Sequence, residues 1–227
     1  MNRLIFSTIV SFLCWALSGQ TATTDYLQDA EPVDYNKGLR VSISHFLDPT
    51  TPAVVVGYER KVSDRSYLRH EGAIYFRYGF STEPQGLLGL SGFGVRTAFR
   101  RIKPYRFGNS RRERSYIETS LDYRYYDVDV AGDFSRNGFS QRINYAVWQH
   151  SLGINLIFGQ VLYFGSKLRL DISVGIGGYV AFQRFSEVPE DARFRTNEDV
   201  AVWDHSPDGR VTGRPRIPLG LSLVYVL

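Results

Sequence analysis

The sequence predicts an all-β fold, an eight-stranded antiparallel up-and-down transmembrane β-barrel. Three observations carry this expectation. Apolar and polar residues alternate with period 2 in one segment after another from Gly38 to Leu227, as in strands with one apolar face. Fifteen Tyr, fifteen Phe and 21 Gly favour strands and turns over helices. The stretch before the alternation reads as an export signal. No internal stretch holds eighteen uninterrupted apolar residues, which argues against a helical membrane protein.

Residues 1–20 read as a secretory signal peptide. Arg3 supplies the positive start, Leu4 to Leu17 the apolar core, and Ser18, Gly19 and Ala22 the small residues near a cleavage point. Cys14, the only cysteine, lies inside that core. Lipidation would need a small residue before it, where Leu13 stands. The mature chain then has no cysteine, which excludes disulfides and thiolate metal sites. Residues 21–37 are polar, acidic and aperiodic, and read as a flexible periplasmic lead-in to a barrel over 38–227. The net charge of +4 reflects a basic stretch from Arg100 to Arg114. Nucleic acid is not expected as a partner of an exported chain.

The strands follow in order. The first, Gly38–Phe46, sets Leu39, Val41 and Ile43 against Arg40, Ser42 and Ser44. The second, Ala53–Lys61, sets Val54, Val56 and Tyr58 against Val55, Gly57 and Glu59. The third, His70–Ser81, sets Ile74, Phe76, Tyr78 and Phe80 against Glu71, Ala73, Tyr75, Arg77 and Gly79. The fourth, Leu90–Lys103, opposes Phe93, Val95, Thr97 and Phe99 to Gly92, Gly94, Arg96, Ala98 and Arg100. The fifth, Ser115–Val130, opposes Ile117, Thr119, Leu121, Tyr123 and Tyr125 to Glu118, Ser120, Asp122 and Arg124.

The sixth, Gln141–Phe158, opposes Trp148, Leu152, Ile154, Leu156 and Phe158 to Gln149, Ser151, Gly153 and Asn155. The seventh, Lys167–Arg184, alternates Leu168, Leu170, Ile172, Val174, Ile176, Val180 and Phe182 with Arg169, Asp171, Ser173, Gly175, Gly177, Tyr179 and Gln183. The last, Gly213–Leu227, has a wholly apolar face of Ile217, Leu219, Leu221, Leu223, Tyr225 and Leu227. An even number of strands puts both termini on the periplasmic side. Asp48–Pro52, Thr82–Gly89, Gly132–Ser140 and Ser186–Thr212 are then extracellular, and Ser63–Arg69, Pro104–Arg114 and Gly159–Ser166 periplasmic.

Volume decides which face points outward. The apolar face carries several dozen large side chains, more than the interior of an eight-stranded barrel can hold, so it is assigned to lipid. The opposite face mixes Gly and Ser with Arg40, Glu59, Glu71, Arg77, Arg96, Arg100, Glu118, Asp122, Arg124, Arg169, Asp171 and Arg216. Buried charges must be paired, so these twelve are expected to form an ion-pair ladder in the lumen. Such a ladder fits a plugged lumen; a polar pore is the alternative. Tyr58, Tyr78, Tyr125 and Trp148 are expected toward the outer rim, and Phe99, Phe158 and Tyr225 toward the inner one, as interfacial anchors.

With its terminal segment Pro218-Leu219-Gly220-Leu221-Ser222-Leu223-Val224-Tyr225-Val226-Leu227, the chain resembles the small eight-stranded outer-membrane β-barrel superfamily, the OmpA- and OmpX-like transmembrane barrels. The resemblance covers Gly38 to Leu227. It implies location in the cell outer membrane of a Gram-negative envelope and insertion by the barrel-assembly machinery. Members commonly end in an aromatic residue, whereas this chain ends in Leu227 with Tyr225 two positions earlier. No single activity follows, since members serve as anchors, adhesins, enzymes or porin-like narrow pores.

His150-Ser151 invites comparison with barrels that modify lipid A, but adjacent strand residues point to opposite faces and cannot form a nucleophile–base pair. Glu187, Glu190, Asp191, Glu198, Asp199, Asp204, Asp208 and His205 make an acidic outer loop with no metal-ligand spacing. That loop also holds the apolar Val200, Val202 and Trp203. Arg111, Arg112 and Arg114 form a basic turn suited to lipid phosphates. No cofactor, metal or catalytic residue is expected. The expected partners are the lipid bilayer, lipopolysaccharide, the assembly machinery and an extracellular partner met by the outer loops. The favoured role is structural or interaction-based, with a narrow channel and a lipid-modifying enzyme as alternatives.

Overall fold

A computed structural model describes residues 36–47, 51–77, 87–103, 113–136, 139–164, 167–186, 193–194 and 211–227. The signal segment, the lead-in up to Tyr35, Tyr78, the acidic loop residues with Val200, Val202 and Trp203, and Arg111 and Arg112 lie outside the described residues, while Lys37, expected in the lead-in, opens the first strand. The elements are β1 (Lys37–Ser42), the short helix α1 (Ile43–Phe46), β2 (Ala53–Ser63), β3 (Ser66–Phe76), β4 (Leu87–Ile102) and β5 (Glu113–Arg136). They continue with β6 (Phe139–Phe164), β7 (Leu168–Phe185), β8 (Arg193–Phe194), β9 (Val211–Arg216) and β10 (Leu219–Val226).

The fold is all-β apart from α1. From β1 to β7 each strand pairs antiparallel with the next, and β10 pairs with both β7 and β1, so the sheet closes in a ring. Closure satisfies the backbone groups that an open edge leaves unpaired. The termini and the β2–β3, β4–β5 and β6–β7 connections lie at one end of the ring, here the terminal end. The remaining connections lie at the other, the loop end.

Several boundaries differ from the sequence expectation. β1 stops at Ser42 rather than Phe46, because local side-chain bonds compete with the ladder. The Ser42 hydroxyl meets His45 Nδ1 at 2.8 Å, and the Ser44 hydroxyl accepts the Leu221 N–H at 3.2 Å. β3 begins at Ser66, directly after the turn at Asp64 and Arg65, and ends at Phe76, so the expected span of His70–Ser81 runs too late. β5 and β6 extend to a mutual pair at Arg136 and Phe139, well past the expected ends. The last strand is interrupted at Ile217 and Pro218. Pro218 has no N–H to donate, although its carbonyl accepts the Gly175 N–H at 2.9 Å.

Parity within the strands agrees with the reading throughout, and burial gives it a direction. Ile74, Ile154 and Ile176 on the outer face are 67%, 61% and 64% exposed, whereas Glu59 and Asp171 on the inner face are 0% exposed. The interior is layered along the ring axis. Tyr67, Ile102, Tyr116, Ile157 and Val161 cluster toward the terminal end. A larger apolar cluster with Val55, Tyr75, Leu90, Tyr126, Val128 and Val147 fills the loop end. This second cluster departs from the expected Gly-, Ser- and charge-lined interior. At the loop end β2 carries apolar residues on both faces, so alternation there holds no sign, and on β5 it reverses, with Val128 and Val130 inside and Asp127 and Asp129 outside. The charged residues occupy the layer between.

Candidate functional site

The charged layer is built from alternate residues of neighbouring strands, each aimed inward by its place in the pleat. Ion pairs join seven arginines (Arg40, Arg69, Arg96, Arg100, Arg124, Arg169, Arg216) to five carboxylates (Glu59, Glu71, Glu118, Asp122, Asp171).

The deeper tier, nearer the terminal end, is balanced and buried. Asp171 of β7 accepts from Arg40 of β1 and from the Tyr116 hydroxyl of β5 at 2.5 Å, and its carboxylate lies 2.7 Å from the Arg100 guanidinium of β4. Glu118 accepts from Arg69 at 2.5 Å and Arg100 at 3.0 Å. Glu59 lies 3.1 Å from Arg169 and 3.7 Å from Arg100. The Arg100 guanidinium also stacks over the Tyr116 ring, 3.8 Å from its centroid. Four arginines (40, 69, 100, 169) thus interleave with Glu59, Glu71, Glu118 and Asp171, and each charge has an opposite neighbour. Desolvation makes such a set costly to break, at about 3–5 kcal/mol for loss of one partner.

The second tier is nearer the loop end and is not balanced. Asp122 lies 3.1 Å from Arg124 and 2.9 Å from Arg216, and accepts the Asn155 amide at 2.6 Å. Arg96 reaches Glu71 at 3.3 Å, but Glu71 already serves Arg40 at 3.1 Å and Arg69 at 3.4 Å. Small inner residues make room for these long side chains. A Cβ at Gly159 would overlap the Tyr116 ring, and one at Gly177 would meet the Asn155 amide.

Of the twelve residues expected in the ladder, eleven lie in this layer. Arg77 does not: it follows the last residue of β3, is exposed, and donates to the Leu88 carbonyl. Two important members were missed. Arg69 had been placed in the β2–β3 connection, although its parity with Glu71 two residues later is the signal that puts it inside. Tyr116 shares parity with Glu118 but reads as one more aromatic.

Among the aromatic anchors, Phe158 and Tyr225 are about half exposed on the outer face. Tyr125 packs on Phe93 at 5.6 Å and on the His150 ring at 4.9 Å, and shares a shallow outer hollow with Trp148. Tyr58 is displaced from its expected rim. It pairs with Leu39, which also pairs with Tyr225, so Tyr58 stands level with Tyr225 around the ring.

The tempting catalytic pair is split. His150 is exposed outside, with its Nδ1 2.8 Å from the Tyr123 hydroxyl, while Ser151 is buried inside. Among the described residues no group of three or more His, Cys, Asp or Glu is placed to hold a metal ion. No protein-family model matches the chain, and no curated protein or solved structure matches it either.

Proposed function

We propose that this chain is an integral outer-membrane β-barrel protein with a charged, closed lumen and a structural or interaction role. Counting β9 and β10 as one interrupted strand gives the ring eight strands, an even number with both termini at one end, as expected of bacterial outer-membrane barrels. The observation that carries the reading is the inversion of burial. Apolar side chains cover most of the outside, while paired guanidiniums and carboxylates fill the middle of the interior, between two buried apolar clusters. In water that arrangement would expose far more apolar surface than soluble proteins tolerate, and a bilayer removes the penalty.

The outward run on β7 from Leu168 to Phe182 is longer than the roughly 9–11 residues a tilted strand needs to cross hydrocarbon. The ion-pair layer and the apolar cluster at the loop end favour a closed lumen over a pore. The loop end of the ring is the surface offered to a partner outside the cell. The test is membrane fractionation with heat-modifiable gel migration. A chain recovered in the outer membrane, whose folded and boiled forms migrate differently, supports the reading. A soluble periplasmic chain contradicts it.

A further inference from the structure

We propose that the interior holds a binding site for an oxyanion, a phosphate or carboxylate group, at the unbalanced tier of the charged layer. A cavity of about 250 Å³ lies there, lined by Arg40, Arg69, Arg96, Arg124 and Arg216 with Glu71 as the lone carboxylate among its lining residues. Seven ion-paired arginines share five carboxylates, and the excess of two positive charges falls on the side of this cavity, where it sets a positive potential in a medium of low dielectric. The deeper tier cannot cancel it, because its carboxylates are already shared among Arg40, Arg69, Arg100 and Arg169. Three arginines remain, and Arg124 and Arg216 share Asp122, which also stands directly across from Arg96 in the β4–β5 register, while Arg96 reaches a Glu71 already shared with Arg40 and Arg69. The buried Nε–H groups of Arg96 and Arg216 make no hydrogen bond among the described residues. An oxyanion in the cavity would supply the missing negative charge, and guanidinium forks suit phosphate and carboxylate geometry.

The route to the site follows from the strand pairing. Among the described residues β1 ends at Ser42 and β9 pairs with β7 alone, so toward the loop end the ladder is broken between β9 and β2, with α1 packed between β10 and β2. The cavity wall includes Ile217 and Leu219, both exposed on the outer side of the sheet, together with His45 of α1. The cavity therefore extends from the charged layer to this seam. An anionic group can arrive there on a free ion or at the head of an amphiphile whose apolar part stays outside.

The experiment uses the full chain folded in a zwitterionic detergent at constant ionic strength in chloride. Binding is measured by calorimetry, first with inorganic phosphate and then with phosphatidate in mixed micelles against phosphatidylcholine. Saturable binding of either anion, weakened about tenfold or more in Arg216→Gln and less in Arg216→Lys, is expected from loss of a charge-assisted bond. Phosphate binding identifies a free-ion site, and binding of phosphatidate alone identifies a lipid headgroup site. Arg96→Gln gives a second reading should Arg216→Gln fail to fold, with folding checked by heat-modifiable migration. No saturable binding by either probe, or equal binding by wild type and the folded Gln variants, overturns the proposal.

Discussion

Replacing Asp171 with asparagine tests the balance of the deeper tier most sharply. The substitution keeps the shape of the side chain and removes one charge from a site that is 0% exposed. Arg40 retains Glu71 at 3.1 Å and Arg100 retains Glu118 at 3.0 Å, so no guanidinium loses every partner. The tier nevertheless keeps four arginines against Glu59, Glu71 and Glu118, with one positive charge uncompensated in a buried interior. Breaking a buried pair on one side costs about 3–5 kcal/mol. With a urea dependence of about 2 kcal/mol per molar, the unfolding midpoint should fall by about 1.5–2.5 M. The assay is urea titration of the detergent-folded protein followed by intrinsic fluorescence. Asp171→Leu combined with Arg100→Met removes one charge of each sign, and should cost less than the sum of its two single changes. A midpoint shift under about 0.5 M for Asp171→Asn, or strict additivity in the double variant, would refute the reasoning.

Other expectations follow from the same geometry. Gly159→Val should push the Tyr116 ring off Asp171 and destabilise the fold by about 1–3 kcal/mol, measured by the same titration. Tyr116→Phe, which removes only the hydroxyl, should cost about 1–3 kcal/mol because a buried Asp171 oxygen loses its donor. Ile176→Arg, near the middle of β7, should lower stability in lipid vesicles by about 2–4 kcal/mol, read from the folded fraction on a gel. His150→Ala should leave the acyl pattern of lipopolysaccharide unchanged after incubation, as judged by mass spectrometry. In planar bilayers the wild type should show no steady, defined conductance steps, as a filled interior requires.

Much of this organisation is legible in the sequence, and the rest is not for physical reasons. On β7 the run from Leu168 to Phe182 names both faces by itself, because every second residue except Gly178 is large and apolar and the intervening ones except Tyr179 are charged or small. At the loop end, Val55 and Val147 point inward beside apolar neighbours that point outward, while Val128 points inward between the outward Asp127 and Asp129, so period 2 there either says nothing about direction or reverses it. Strand ends were least legible. The β5–β6 hairpin runs on to Arg136 and Phe139, and the Asn137-Gly138 dipeptide between them is the signal a two-residue connection favours. Arg69 was lost for the same reason, since a turn drawn four residues too long removed it from the pleat. The partners of Asp171 come from β1, β4 and β5, remote in sequence. Only closure of the ring brings them together, so no local pattern could have paired them.

The central claim is that the exposed apolar face meets lipid and the charged face does not. With Cys14 removed, single cysteines at Ile176 on the outer face and Ser173 on the inner face can each carry an environment-sensitive fluorophore in the protein folded into vesicles. Brominated lipid tails should quench the label at 176 strongly and the label at 173 little. Equal quenching at both positions, or protection at 176 with quenching at 173, would contradict the lipid-facing assignment.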